Sequence, residues 1–439
     1  MIFHFIRMSA VFGALVSASF AWCEPSVSLE DFALNAVRND LLMQASAHQE
    51  RAQTEQANYP LSLPDPSLRI GIANLPVESF EFDQEPMTQI TVGLKQALPR
   101  LATRQLKNQQ GKQMAAEQGQ KTQLRRAEVL RLSRLDWLSM FGLQRKIALL
   151  NEQKTILNTL YASKINTYEH SATARQSALL RLQTEILMLD EQLLMALGEQ
   201  QATVQKLRYW SPSSEEEQFK KLPATGLTHL TSLAGTLIKT DSLELEASLL
   251  QHPRFRMSDE KLSAADLNTR LAKDAYKPQF SLEASYGYRD DSPLGTNRSD
   301  FASIALSFDV PIRQSKRQDY ALRSAESLRQ AASFERSYLA RKLKSDALAL
   351  QAKLTELQQR TALLRDDLLP LSATQIASLE IESLQNASAL TELLDAQVRR
   401  NEYQLKLNDA EIALWKTTID LQFYLQSEPH DSPETHHEN

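Results

Sequence analysis

Gln89-Ile-Thr-Val-Gly-Leu-Lys-Gln-Ala-Leu-Pro99, followed from Leu101 to about Asn166 by a run without proline, is the stretch that decides the fold. Its first part alternates, with Ile90, Val92 and Leu94 on one side, as a half-buried strand does. Pro99 ends the strand because it has no N–H to give a ladder. Beyond it, apolar residues recur at helical spacing through Leu124, Leu135, Leu138, Leu143, Ile147 and Leu150. About 65 residues at about 1.5 Å each predict a rod of nearly 100 Å. An ordinary globular domain has no use for such a rod.

Working outward, the same order is found twice. Ser28 to Asn58 is predicted helical, opened by the capping pattern Ser28-Leu-Glu-Asp31 and stopped by Pro60, Pro64 and Pro66. Ser67 to Ile72 is a first strand and Gln89 to Leu98 a second. The long helix follows, and Thr173 to Trp210 returns. In the second half, Ser242 to Ala275 is predicted helical. Gln279 to Arg289 and Phe301 to Val310 alternate as strands, and Pro311 stands where Pro99 stood. Arg313 to about Ala377 is the second long helix, interrupted by Pro370, and Ala389 to Leu425 returns. Val92 and Ile304, Leu94 and Leu306, Pro99 and Pro311, and Gln183 and Gln397 match at a nearly constant separation, and a repeat of this kind sets the architecture. The chain therefore divides into a signal segment over 1–22, a first repeat over 24–210, an equatorial segment over 211–241, a second repeat over 242–428 and a disordered tail over 429–439.

Composition agrees. Only 11 of 439 residues are glycine, well under the usual share of roughly 7%, as expected of long helices. A net charge of -5 offers no basic excess for nucleic acid. The N-terminus has Arg7, an apolar core from Met8 to Phe20 and the small-residue site Ser19-Phe20-Ala21, the pattern of an export signal. Cys23, the single cysteine, excludes an intrachain disulfide. It is a candidate lipid-anchored first residue of the mature chain, against which stands Trp22, where a small residue is usual. No later segment has 18 apolar residues free of charge, so a membrane can be crossed only as a β-barrel. Four strands close no barrel, whereas three chains together supply twelve, a known even number. The fold class is mainly α with a β-barrel part, two repeats of a strand pair plus a long helical hairpin.

Three stretches resemble the TolC-type outer-membrane factor family, specifically its cation-efflux branch. They are Leu63-Pro-Asp-Pro66 through Asn74-Leu-Pro76 with Glu85 to Pro99, then Leu179-Leu-Arg-Leu-Gln-Thr-Glu185, and Leu390-Thr-Glu-Leu-Leu-Asp-Ala-Gln397. The resemblance spans roughly Val27 to Gln426. Ala172 and Asn386 depart from it where the family often has glycine, and Tyr424-Leu-Gln426 replaces a usual terminal Leu-Gly. It implies a homotrimer whose barrel meets outer-membrane lipid and whose helices form a periplasmic tunnel. It also implies two partners, a periplasmic adaptor (membrane fusion protein) and an inner-membrane pump of the resistance-nodulation-division type. The chain itself is then a passive exit duct for metal cations or small toxic compounds, with heavy-metal resistance as the expected phenotype. A type I protein-secretion channel is the alternative within the fold, and a soluble periplasmic coiled-coil scaffold or adaptor the alternative outside it.

Glu392 and Asp395 lie three residues apart on one helix face. The resemblance puts acids at these positions in the lumen near the closed end, where threefold symmetry makes a ring of six carboxylates that favours cations. A solvated helix face is the plain alternative. The counterparts in the first repeat are Ala178 and Arg181. Arg181 is a candidate partner for an acid of a neighbouring helix, holding the gate shut; the alternative is that it points to solvent. The hairpin tips carry Lys164, Arg175, Glu380 and Glu382 as candidate adaptor-docking residues. The tail His430-Asp-Ser-Pro-Glu-Thr-His-His-Glu-Asn439 clusters metal-ligating residue types but fits no defined site, and no cofactor is expected. No GxSxG, HExxH, phosphate-binding glycine loop or Cys/His constellation occurs, so no enzyme is expected.

Overall fold

A computed structural model describes residues 27–170, 176–212, 216–383 and 389–425. The signal segment, Cys23, Arg175 and the C-terminal tail lie outside the described residues.

The first repeat opens with α1 (Leu29–Asn39) and α2 (Leu41–Asn58). The Ser28 hydroxyl caps α1 by accepting the Asp31 N–H at 3.2 Å, as the capping pattern predicted. A single helix over Ser28 to Asn58 is corrected here, because the chain breaks at Asp40 and restarts. The Asp40 carboxylate accepts the Met43 N–H at 2.6 Å and holds Arg125 of the next long helix. The strands β1 (Ser67–Ala73) and β2 (Gln89–Leu98) follow, then α3 (Leu101–His170) and α4 (Gln176–Trp210). With 70 residues, α3 measures about 105 Å by helical rise. Against α2 it packs so closely that a Cβ on Gly111 would stand 2.7 Å from Ala57 Cα, so only glycine fits the crossing.

Between the repeats runs α5 (Leu227–Ile238), a helix that the sequence pattern did not predict. The second repeat begins with α6 (Ser242–Gln251) and α7 (Pro253–Asp274). Here too one predicted helix is corrected to two. The break falls at His252-Pro253, the position matching Asp40-Leu41, and His252 Nδ1 caps α7 by accepting the Arg254 N–H at 3.2 Å. After β3 (Phe280–Tyr288) and β4 (Phe301–Phe308), the second long helix starts at Gln318 rather than Arg313. It consists of α8 (Gln318–Ala362), one π-helical stretch over Leu363–Leu368, and α9 (Leu369–Ser383), and α10 (Ala389–Leu425) returns. Pro370 does not end the helix. It removes one N–H and crowds the carbonyl four residues back, and the wider turn before it, closed by Leu369 N–H to Leu364 C=O, absorbs the misfit.

The four strands form one antiparallel sheet in the order β1-β2-β3-β4, with β2 and β3 joining the two repeats. The register runs Leu68–Leu94–Ala284–Ile304, Ile70–Val92–Tyr286–Ala302 and Leu98–Phe280–Phe308 across one face. That face is apolar, and Ile70, Leu94, Ile304 and Leu306 are all exposed on it. The opposite face is small or polar, with Ser281–Ser307, Gly93–Ser285–Ser303 and the charge pair Lys95–Glu283 in register. Both edges, β1 and β4, are unpaired among the described residues.

Buried side chains gather where the short helices meet the rods. Phe32 of α1, Trp137 and Leu138 of α3, Leu207 of α4, Leu230 of α5 and Trp415 of α10 share one core. Leu245 of α6, Phe255 of α7, Leu343 and Leu354 of α8 and Leu421 of α10 share another, with α5 reaching into it through Leu237. Among the described residues no helix is long and apolar enough to cross a membrane.

Candidate gate at the helical end

Far from the sheet, α3, α4 and α10 pack through Leu150, Leu157, Leu182, Leu189 and Leu394. On the other side of α10, Leu393 and Ala396 pack on Ile376 and Leu379 of α9. Leu393 and Leu394 therefore anchor α10 in both directions, and the remaining face carries the two acids. Glu392 is exposed and Asp395 half-buried.

Arg181 does pair with an acid of a neighbouring helix, and that acid is Asp395. Its guanidinium Nη2 donates to Asp395 Oδ1, joining α4 to α10. The two side chains are 46% and 43% exposed, so the bond is solvated and modest in energy. What matters is charge. Within one chain Asp395 is compensated, whereas Glu392 has no ion-pair partner among the described residues. Glu185 shares a small crevice with Arg181, Asp395 and Leu157.

Of the tip residues, Lys164 lies in the last turns of α3, and Glu380 and Glu382 are exposed near the end of α9. Along α4, the exposed Leu180, Leu187 and Leu194 fall one heptad apart, an apolar seam that nothing covers among the described residues.

Sequence reasoning missed one charged centre. Glu411 of α10, 7% exposed, accepts from Arg145 of α3 at 2.6 Å and from Arg365 of the π-helical stretch. Pro370 was the available signal, since a proline inside a long helix implies a local irregularity. Among the described residues no group of three or more His, Cys, Asp or Glu is arranged to hold a metal ion.

The chain has the fold of TolC-type outer-membrane channels. CusC, whose crystal structures concern "conformational changes accompanying folding and transmembrane channel formation", is 17% identical, with TM-score 0.69 over 91% of this chain and 92% of its own. The outer-membrane channel OprN is 13% identical, with TM-score 0.72 over 91% and 90%. The Campylobacter jejuni CmeC outer membrane channel is 12% identical, with TM-score 0.71 over 91% and 87%. No family model matches the sequence, and no curated protein matches it.

Proposed function

We propose that this chain is the outer-membrane channel subunit of a tripartite efflux pump, a passive duct that assembles as a homotrimer. The observation that carries this reading is the sheet. One face is apolar and exposed, the other small or polar, and among the described residues both edges are open. Lipid tolerates no unpaired strand edge, so the sheet needs neighbours, and three copies close a twelve-stranded barrel. The uncovered leucine seam of α4 gives the same three copies a helical contact. The barrel spans the outer membrane and the rods cross the periplasm. Their far ends meet a periplasmic adaptor through the tips around Lys164, Arg175, Glu380 and Glu382, and an inner-membrane pump of the resistance-nodulation-division type supplies the energy.

At the far end the three copies of Glu392 are the uncompensated charges of the ring, and Arg181 masks the three of Asp395. Such a ring favours cations, which agrees with metal cations as cargo, small toxic compounds being the other class. The reading is tested in planar bilayers with the reconstituted trimer. Glu392→Ala is expected to lower cation selectivity and weaken block by trivalent cations. Arg181→Ala, which unmasks Asp395, is expected to raise both. Identical currents in all three proteins would reduce the pair to a solvated helix face. Cargo is tested separately, by deletion: the strain is expected to become sensitive to transition-metal ions or small toxic compounds and to recover on complementation. Unchanged tolerance across a broad panel, with a secreted protein trapped inside, would favour the secretion channel instead.

A further inference from the structure

The apolar face of the sheet ends, toward the helices, at Leu98, Phe280 and Phe308. Immediately beyond it the character changes. Arg270, Lys273 and Lys277 rise along one side of α7 and its C-terminal turn at helical spacing, all exposed, and line an open groove of about 380 Å³ against Leu106 of α3. Arg100 stands beside them, its Nε donating to the Lys277 carbonyl at 2.7 Å. The one acid in the groove, Asp274, is already held by the Thr103 hydroxyl at 2.5 Å and the Lys277 ammonium at 2.9 Å. Arg270 and Lys273 have no ion-pair partner among the described residues. The groove therefore holds a surplus of positive charge at the helical end of the sheet, a few residues from the apolar row Leu98–Phe280–Phe308.

The opposite rim of the sheet has the reverse sign. Its loops carry Glu78, Glu81, Asp83 and Glu85, then Asp290 and Asp291. Against these six acids stand Arg289 and Arg298, which reach the carbonyls of Pro86 and Glu85, and the rim is net negative. A sheet built only to meet lipid has no need of this asymmetry. A ligand with a phosphate head and an acyl tail accounts for it, because the head is attracted by the groove and the tail is covered by the sheet.

We propose that the groove between α3 and α7 binds the phosphate headgroup of a phospholipid, with its acyl chains on the apolar face that begins at Phe280, three residues beyond Lys277. The unpaired guanidinium of Arg270 and the unpaired ammonium of Lys273 suit a phosphodiester, the first as a fork and the second as a point charge, while Lys277 stays with Asp274. The proposal rests on the membrane reading given above, but its test does not need membrane insertion.

The full chain, purified in a non-ionic detergent and stripped of lipid, is titrated with dihexanoyl-phosphatidylglycerol below its micellar concentration, with binding read by calorimetry and native mass spectrometry. Saturable binding is expected. Affinity should fall about fivefold for each cation removed in Arg270→Gln/Lys273→Gln. It should be unchanged in Lys239→Gln/Lys353→Gln, which removes the same charge elsewhere. Should the first variant lose its helical circular dichroism, the single Lys273→Gln at an exposed position takes its place. Inorganic phosphate at equal concentration is expected not to displace the lipid. Absence of saturable binding, equal binding by both double variants, or displacement by inorganic phosphate would each overturn the proposal. Failure of the membrane reading would instead show as a water-soluble monomer before any titration.

Discussion

At the scale of single residues, the two helix breaks at matched positions are built from different chemistry. Asp40 caps with a carboxylate. Burial raises its pKa, but the hydrogen bonds from Arg125 and from the Met43 N–H outweigh that and hold it below the usual carboxylate range. His252 caps with a ring nitrogen, is fully buried, and lies between Phe423, 5.1 Å away edge to face, and the stacked ring of Tyr424. Burial, aided by the Arg254 guanidinium, pushes its pKa down to about 4. Between pH 6.5, its ordinary value, and about 4 the unfolded chain binds a proton that the folded one does not. Stability from this group is therefore complete above pH 6.5 and falls as pH falls through that window, by up to an amount on the order of 3 kcal/mol. The expected outcome is a marked drop in the first unfolding temperature between pH 7 and pH 4.5. The drop should be smaller in His252→Asn, which still caps but does not titrate.

At the scale of elements, the second long helix shows how a local misfit becomes a tertiary contact. Pro370 alone argues for a stop. The π-helical stretch before it keeps the helix going and turns Arg365 toward Glu411, which Arg145 holds from the other side. The carboxylate is nearly buried, and both guanidinium groups are partly solvated. Removing the acid strands two like charges, whereas removing Arg365 leaves the acid one partner. Glu411→Ala is thus expected to cost about 2–3 kcal/mol and Arg365→Gln less than about 1 kcal/mol, compared by denaturant midpoints at constant slope. Equal costs would mean that Glu411 is not the centre of the network.

At the scale of the whole molecule, the polarity of the sheet decides what the chain can be part of. Ile304 and Ser303 are neighbours on β4 but stand on opposite faces. If the apolar face meets lipid, Ile304→Lys carries a charge into hydrocarbon, at about 2–4 kcal/mol per chain near the midplane and hence three times over in a trimer. Ser303→Lys faces the lumen at little cost. Outer-membrane fractionation is expected to show Ile304→Lys depleted and unassembled, and Ser303→Lys at the level of the parent trimer. The opposite result would place the lumen on the other face.

What the sequence by itself determined is what short-range chemistry encodes. Alternation placed the strands and their apolar face, prolines bounded them, Ser28 opened α1, and the absence of proline carried α3 from end to end. Glu392, Asp395 and Arg181 were legible as candidates, but that Arg181 takes Asp395 depended on how far α4 and α10 slide past each other, a distance set by leucines packed between three helices. The break at Asp40 was missed because its segment keeps an unbroken helical pattern, whereas the one at His252 had a local signal in Pro253 that the reading of Ser242 to Ala275 as one helix passed over. They appear only when Arg125 and the Phe423–Tyr424 pair, remote in sequence, stabilise the kinked path. The same holds for α5, which packs into both cores, and for Glu411, whose second partner sits in the widened turn before Pro370. Local sequence dictates where backbone hydrogen bonds can run. Which charges end up neutralised is decided by packing, because a charge interaction of this kind exists only within a few ångströms.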